Sequence, residues 1–258
     1  KVITTAAGLN NGFDPSSTLT GSNVITLPDT VTELTNYANQ KCNGQDSVTL
    51  QTAFALSCNT AFVEMSEQIG ADELRKYAKA FGVGENYDLG VSTSGGTLGD
   101  LPDGAATAQS AIGQRDVTMT ALQAAVMAGT VANKGTRMQP YLVNRITDAQ
   151  MKDVRTTKPK KADQAVNEET AATLTDLMYA SERSSWGYDG NGFASKTGTA
   201  EHGEGLAPHV WYVAFDPERD IAVGVVVKNG GNLGESATGG KVSGPIGRAI
   251  LRAYQGEQ

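Results

Sequence analysis

Histidine is nearly absent from this chain: its 258 residues hold 2, His202 and His209. Neither lies in an H-E-x-x-H or comparable spacing, so a histidine-ligated metal is unsupported, and no G-x-S-x-G elbow exists to make either one a triad base. Each is expected to be a polar residue in a loop or at a strand edge. Cysteine is equally scarce, Cys42 and Cys58 alone. Without a C-x-x-C motif or a nearby His, a zinc site is not indicated, which leaves either two buried thiols or one disulfide. No metal or cofactor is expected. The most apolar stretch, 117–132, is interrupted by Thr118, Thr120, Gln123 and Thr130, and it falls short of the roughly 20 residues that span a bilayer. Basic charge is also in deficit: 21 Lys plus Arg face 28 Asp plus Glu, a net −7, and such a field repels phosphate and argues against nucleic acid as a partner. Proline is sparse, so the 30 glycines read as tight turns rather than disorder. The chain opens on Lys1 instead of Met, as expected of a processed polypeptide whose signal peptide or anchor would precede it.

Periodicity and stop signals predict helices over Val2–Leu9, Thr49–Leu56, Thr60–Ile69 and Ala71–Phe81, with breaks at Ser57-Cys58-Asn59 and at Gly70. Leu74, Tyr77, Ala78 and Phe81 form one apolar stripe. The Gly, Ser, Thr and Asp-rich segment 86–106 is expected to be irregular. A capping box of Thr120 and Gln123 opens a helix ending near Asn133. Lys152–Lys161, with five basic residues against Asp153, reads as an exposed loop or β-turn region. Another helix follows over Glu168–Glu182. The last third predicts strands at Phe193–Ala200, Val210–Phe215 and Ile221–Val227, the last two a hairpin, then a glycine-rich loop 230–240 and a helix near Val242–Tyr254. Central helices followed by antiparallel strands predict an α+β fold with the terminal helix folded back onto the sheet.

The glycine-rich loop ending in Gly239-Gly240-Lys241 has the setting of a phosphate-binding loop but not its residues. Val242 stands where Ser or Thr should hold magnesium, and Glu235 where a glycine is required. Nucleotide binding is therefore disfavoured. Ser195-Lys196-Thr197-Gly198-Thr199-Ala200 is more informative, because a K-T-G triplet lies on a predicted strand downstream of the Ser57-x-Asn59 triplet at a helix break. These are two of the three motifs of serine acyltransferases that use lysine as proton shuttle. The third, S-x-x-K, places hydroxyl and amine on one helix face. No lysine from Lys41 to Lys241 has Ser three positions earlier, but Lys1 opens a helix, and the position three before it lies outside the chain.

On these residues the sequence resembles the transpeptidase domain of class B penicillin-binding proteins, in which the nucleophile helix reads S-T-F-K followed by a run much like Val2-Ile3-Thr4-Thr5-Ala6-Ala7. The likeness continues through Ala55–Phe62, Ser110-Ala111-Ile112-Gly113-Gln114, Lys196–Glu201, His209–Phe215 and Gly239-Gly240-Lys241, nearly the whole chain. The Ser-Cys-Asn-Thr form and the paired cysteines are most similar to actinobacterial members. The resemblance implies the penicillin-binding transpeptidase fold: an antiparallel sheet flanked by N- and C-terminal helices, plus an all-helical subdomain. It implies that residues 1–258 form that domain without its N-terminal part, the segment with the nucleophilic serine included.

The chemistry implied is peptidoglycan cross-linking through a serine acyl-enzyme on the D-Ala-D-Ala stem peptide, with β-lactams acylating the same serine. Lys1 would be the base, its pKa lowered by repulsion from Lys196. Ser57 would relay the proton and Asn59 would bond Lys1 and the substrate amide. Lys196, Thr197 and Thr199 in the strand with Gly198 would hold the terminal carboxylate, and the backbone N–H of Thr199 would share the oxyanion with that of the serine. The 258 residues alone would then not be acylated by penicillin. A D,D-carboxypeptidase or a non-catalytic β-lactam or muropeptide sensor would share these motifs. A β-lactamase is disfavoured, since no E-x-x-x-N signature lies between Ser57 and Lys196. The family also implies the outer face of the cytoplasmic membrane, an anchor in the preceding segment and cell-wall glycosyltransferase partners. In that oxidising compartment Cys42 and Cys58 are expected to be a disulfide.

Overall fold

A computed structural model describes residues 1–203 and 205–256. Helix α1 (Val2–Leu9) is followed by four short strands, β1 (Thr18–Thr20), β2 (Val24–Thr26), β3 (Glu33–Thr35) and β4 (Ser47–Thr49), then by α2 (Leu50–Leu56), α3 (Asn59–Ala80), α4 (Gly104–Ala111) and α5 (Ala121–Ala132). Strands β5 (Thr136–Met138), β6 (Arg145–Thr147), β7 (Asp153–Thr156) and β8 (Lys161–Gln164) precede α6 (Glu168–Ser184). The chain closes with β9 (Ala194–Ala200), β10 (His209–Asp216), β11 (Ile221–Val227) and α7 (Ser243–Gly256).

The α+β architecture expected from the sequence is present. The main sheet has the order β11-β10-β9, all antiparallel. Alternation along β10 divides the interior. Val213 and Phe215 face the large core that also holds Phe54, Phe62, Ala124 and Leu174, while Tyr212 and Ala214 join Val223, Phe193 and Leu251 of α7 in a second cluster. Helices therefore cover both faces of the sheet.

Local signals explain the helix boundaries. Thr120 and Gln123 make the expected capping box, and Asn167 and Asp103 accept from the backbone N–H of Thr170 and Ala106. Gly70 interrupts α3 at φ 72°, ψ 171°, a conformation open essentially to glycine alone; the expected break lies there. Two expectations need correction. Segment 86–106 is irregular only to Asp103, because that residue caps α4 at Gly104. Lys152–Lys161 is largely exposed, as expected, but only part of it is loop: β6 pairs with β7 and β5 with β8, and between them Gln139 N–H donates to the Lys160 carbonyl at 2.8 Å and Thr157 N–H to that of Asn144 at 2.7 Å. The result is a two-stranded ribbon with all of β7 and β8 exposed. A strand wet on both faces carries no period-two signal, so the charges alone were readable. The short strands β1–β4 had no sequence expectation.

Candidate active site

The helix break predicted at Ser57 forms because Ser57 takes the left-handed conformation, φ 61°, ψ 38°. Its N–H turns back to the Phe54 carbonyl and the N–H of Cys58 to that of Ala53, closing α2. Helix α3 restarts at Asn59, so Ser57, Cys58 and Asn59 occupy one tight turn. Cys58 is tied to Cys42 by a disulfide with a Cα–Cα distance of 5.7 Å, which resolves the choice left open by composition and anchors the turn to the loop before β4.

Asn59 is the hub on this side. Lys1 Nζ donates to its Oδ1 at 2.8 Å, and its Nδ2 donates to the Thr35 carbonyl at the end of β3 at 3.1 Å. That second bond gives the short strands a purpose: they orient the amide. Lys1 caps α1, whose Thr5 N–H bonds the Lys1 carbonyl at 2.9 Å, so its side chain leaves a helix end buried in the main core. Across the cleft, Lys196 projects from β9 on the same face as Val213, its register partner, and is 6% exposed. Its Nζ donates to the Thr197 carbonyl at 3.0 Å.

Both ammonium groups stand over aromatic rings. Lys1 Nζ is 5.7 Å from the Phe62 centroid and Lys196 Nζ 5.7 Å from that of Phe54, within cation–π range, and the two rings neighbour each other at 6.5 Å. Burial lowers Lys1 to about 8. It also lowers Lys196, to about 7, with repulsion from Lys1 as the second cause. The expected like-charge repulsion is therefore felt at Lys196, whereas desolvation governs Lys1.

These groups line one open cleft of ≈ 1210 Å³, with Lys1, Ser57, Asn59, Lys196, Thr197, Gly198 and Thr199 all on its wall. Among the described residues β9 pairs with β10 only, so no strand lies along its outer edge. Thr199 Oγ1 accepts from the N–H of Gly239 at 3.4 Å. Gly239 packs so closely that a Cβ there would lie 2.4 Å from the Trp211 carbonyl oxygen and 2.6 Å from that of Gly198. The glycine-rich loop is thus a backbone brace for β9. His202 and His209 also reach the wall, stacked with ring centroids 4.0 Å apart. His209 begins β10 and accepts at Nδ1 from the N–H of Asn229 at 3.1 Å, the strand-edge role expected of it. Sequence reasoning missed Phe54, Phe62 and Thr35: two ring faces and a carbonyl carry no motif.

A cleft with paired lysines, a Ser-x-Asn turn and a K-T-G strand, set between an antiparallel sheet and a helical layer, is the arrangement that the resemblance to penicillin-binding transpeptidase domains implies. The chain belongs to the penicillin-binding protein transpeptidase family, whose transpeptidase-domain profile matches residues 1–252. It is 44% identical to the peptidoglycan D,D-transpeptidase PbpA of Mycolicibacterium smegmatis over 98% of this chain and 53% of that protein. With PbpA of Mycobacterium tuberculosis it shares 42% identity over 100% of this chain and 54% of that one. The chain thus spans about half the length of these relatives. Its fold superposes on penicillin-binding protein A from M. tuberculosis in a penicillin G acyl-enzyme complex with a TM-score of 0.92 and 41% identity, covering 98% of this chain and 59% of that one. The actinobacterial affinity expected from the sequence agrees with these relatives.

Proposed function

We propose that this chain is the catalytic portion of a peptidoglycan D,D-transpeptidase that works through a serine acyl-enzyme and is inhibited by β-lactams. The observation that carries the reading is the 2.8 Å bond between Lys1 Nζ and Asn59 Oδ1 in the same cleft as the Lys196–Thr199 edge strand. The nucleophile is a serine three residues ahead of Lys1 in the longer polypeptide, one helical turn back and on the same face as the Lys1 amine. Lys1 takes its proton, and Ser57, whose hydroxyl has no hydrogen-bond partner among the described residues, passes it to the leaving D-alanine. The open edge of β9 receives the stem peptide as an added strand. Lys196, Thr197 and Thr199 hold its carboxylate by charge-assisted bonds.

Burial lowers both lysines, whereas the proposed roles need Lys196 charged and Lys1 neutral. A bound carboxylate sets them apart. It favours the charged form of Lys196, and that charge then presses a proton off Lys1. Substrate binding thereby arms the base.

The protein acts outside the cytoplasmic membrane, held by a segment of the longer polypeptide and working beside a cell-wall glycosyltransferase. Among the described residues no helix is long and apolar enough to cross a membrane. The test uses the full-length protein, a labelled penicillin and a stem-peptide substrate. A label on the serine three before Lys1 and a cross-linked product support transpeptidation. Free D-alanine without cross-links means a carboxypeptidase, label without product means a sensor, and a label elsewhere refutes the site.

A further inference from the structure

Away from the cleft cations lies a fully buried ion pair that no step of the proposed reaction uses. Glu182 at the end of α6 is 1% exposed and Arg248 on α7 2%, and Arg248 Nε donates to Glu182 Oε1 at 2.6 Å. Asn191 Nδ2 donates to the same oxygen at 3.0 Å, and the Tyr212 hydroxyl to Oε2 at 3.0 Å. The Ser195 hydroxyl also donates to Oε2. One carboxylate thereby gathers donors from α7, β9, β10 and the loop before β9. Burial, the largest influence, works to raise its pKa, yet the bonds from Arg248, Ser195 and Asn191 outweigh it and hold the group below the usual carboxylate range.

Such a pair is a poor source of net stability, because desolvation offsets the attraction. Its value lies in what it fixes. Ser195 is joined by one peptide bond to Lys196. Ser195 shares the α7 face of the sheet with Ala214, its register partner, while Lys196 shares the opposite face with Val213. A rotation of β9 about its own axis that moves the serine hydroxyl moves the lysine amine by a similar amount. Along that strand β10 bonds one edge and, among the described residues, no strand pairs the other, so the roll of β9 rests on β10, on the Gly239 brace and on what holds Ser195.

We infer that Glu182 is a positioning residue for the cleft: by holding Ser195 it sets the roll of β9 and hence where the Lys196 ammonium meets the substrate carboxylate. The inference rests on the functional reading above for its substrate. Tyr212 provides an internal control, since it bonds the same oxygen but sits on the central strand, paired on both edges.

The experiment compares Ser195→Ala, Ser195→Thr and Tyr212→Phe in the full-length protein by second-order penicillin acylation, thermal unfolding and ¹³C NMR titration of labelled lysine. Glu182→Gln is a fourth variant, dispensable if it does not fold. Both single-bond deletions are expected to lower Tm by about 2–4 °C. Ser195→Ala should lower acylation about 10-fold or more and move the Lys196 titration, Ser195→Thr should restore both, and Tyr212→Phe should leave both near wild type. Equal losses in Ser195→Ala and Tyr212→Phe, or an unmoved Lys196 titration, would overturn the positioning role. A wild-type protein that is not acylated refutes the functional reading instead, and the NMR titration still decides the positioning question.

Discussion

At the scale of single residues, the two cleft lysines carry opposite demands in one buried space. Lys196 has an ordinary pKa of 10.5 and a folded value of about 7. Between those values the unfolded chain holds a proton that the native site does not, so this group makes stability rise with pH across the window from about 7 to 10.5. Below it, a charged Lys196 is a standing cost. Lys196→Met is therefore expected to stabilise the fold at pH 7 by roughly 1–3 kcal/mol while abolishing carboxylate recognition. The gain should fade toward pH 10. Urea unfolding at the two pH values measures it, and a gain that does not change with pH would refute the burial argument. The motif residues were readable because Ser57-x-Asn59 falls at a break between two helical segments and Lys196-Thr197-Gly198 on a segment with strand character. The rings beneath the two amines were not, since Phe54 and Phe62 look like any other core aromatic until α2 and α3 bring them together.

At the scale of elements, the α2–α3 corner is built from a left-handed serine, a cystine and an asparagine in succession. The disulfide closes a separation of 16 residues, for which chain entropy gives about 3 kcal/mol. Replacing Cys42 and Cys58 with Ser together should reduce unfolding free energy by about that amount. It should also slow acylation, because Ser57 and Asn59 flank Cys58. Denaturant titration with parallel penicillin labelling separates the two effects; unchanged stability would show that the corner holds itself. Helices with caps and apolar stripes, α5 above all, were legible from sequence to within a residue or two. The strands β1–β4 were not, because three-residue pairings leave too short an alternation to detect, although β3 supplies the carbonyl that orients Asn59.

At the scale of the whole molecule, the ribbon of β5–β8 is rooted in the body at β5, where Arg137 is 4% exposed and bonds the Ala80 carbonyl at 2.9 Å. Its β6–β7 end projects outward, with Val154 67% exposed and Lys152, Arg155, Lys160 and Lys161 along the ribbon. Trypsin is expected to nick the folded protein first within 152–161, sparing the Lys158–Pro159 bond, and to leave the rest intact as judged by mass spectrometry. First cleavage inside α3 or α6 would contradict that placement. Penicillin labelling should survive the nick, since the ribbon joins α5 to α6 away from Lys1, Asn59 and Lys196. The fold class was legible at this scale because helix-period and strand-period segments are segregated along the chain. The partition of the interior into two clusters was not, because it depends on which way β10 faces.

The brace at Gly239 sets a limit on how such a pocket can diversify. With carbonyl oxygens at 2.4 and 2.6 Å from any added Cβ, a codon change there is a folding defect before it is a change in ligand preference. The same strand that would touch an antibiotic is in this way closed to gradual variation from behind. Substitutions that alter binding in the proposed cleft are expected at its exposed rim, at positions such as Tyr37 and Leu56, which line the cleft and are 71% and 44% exposed, where a new side chain meets water and not backbone.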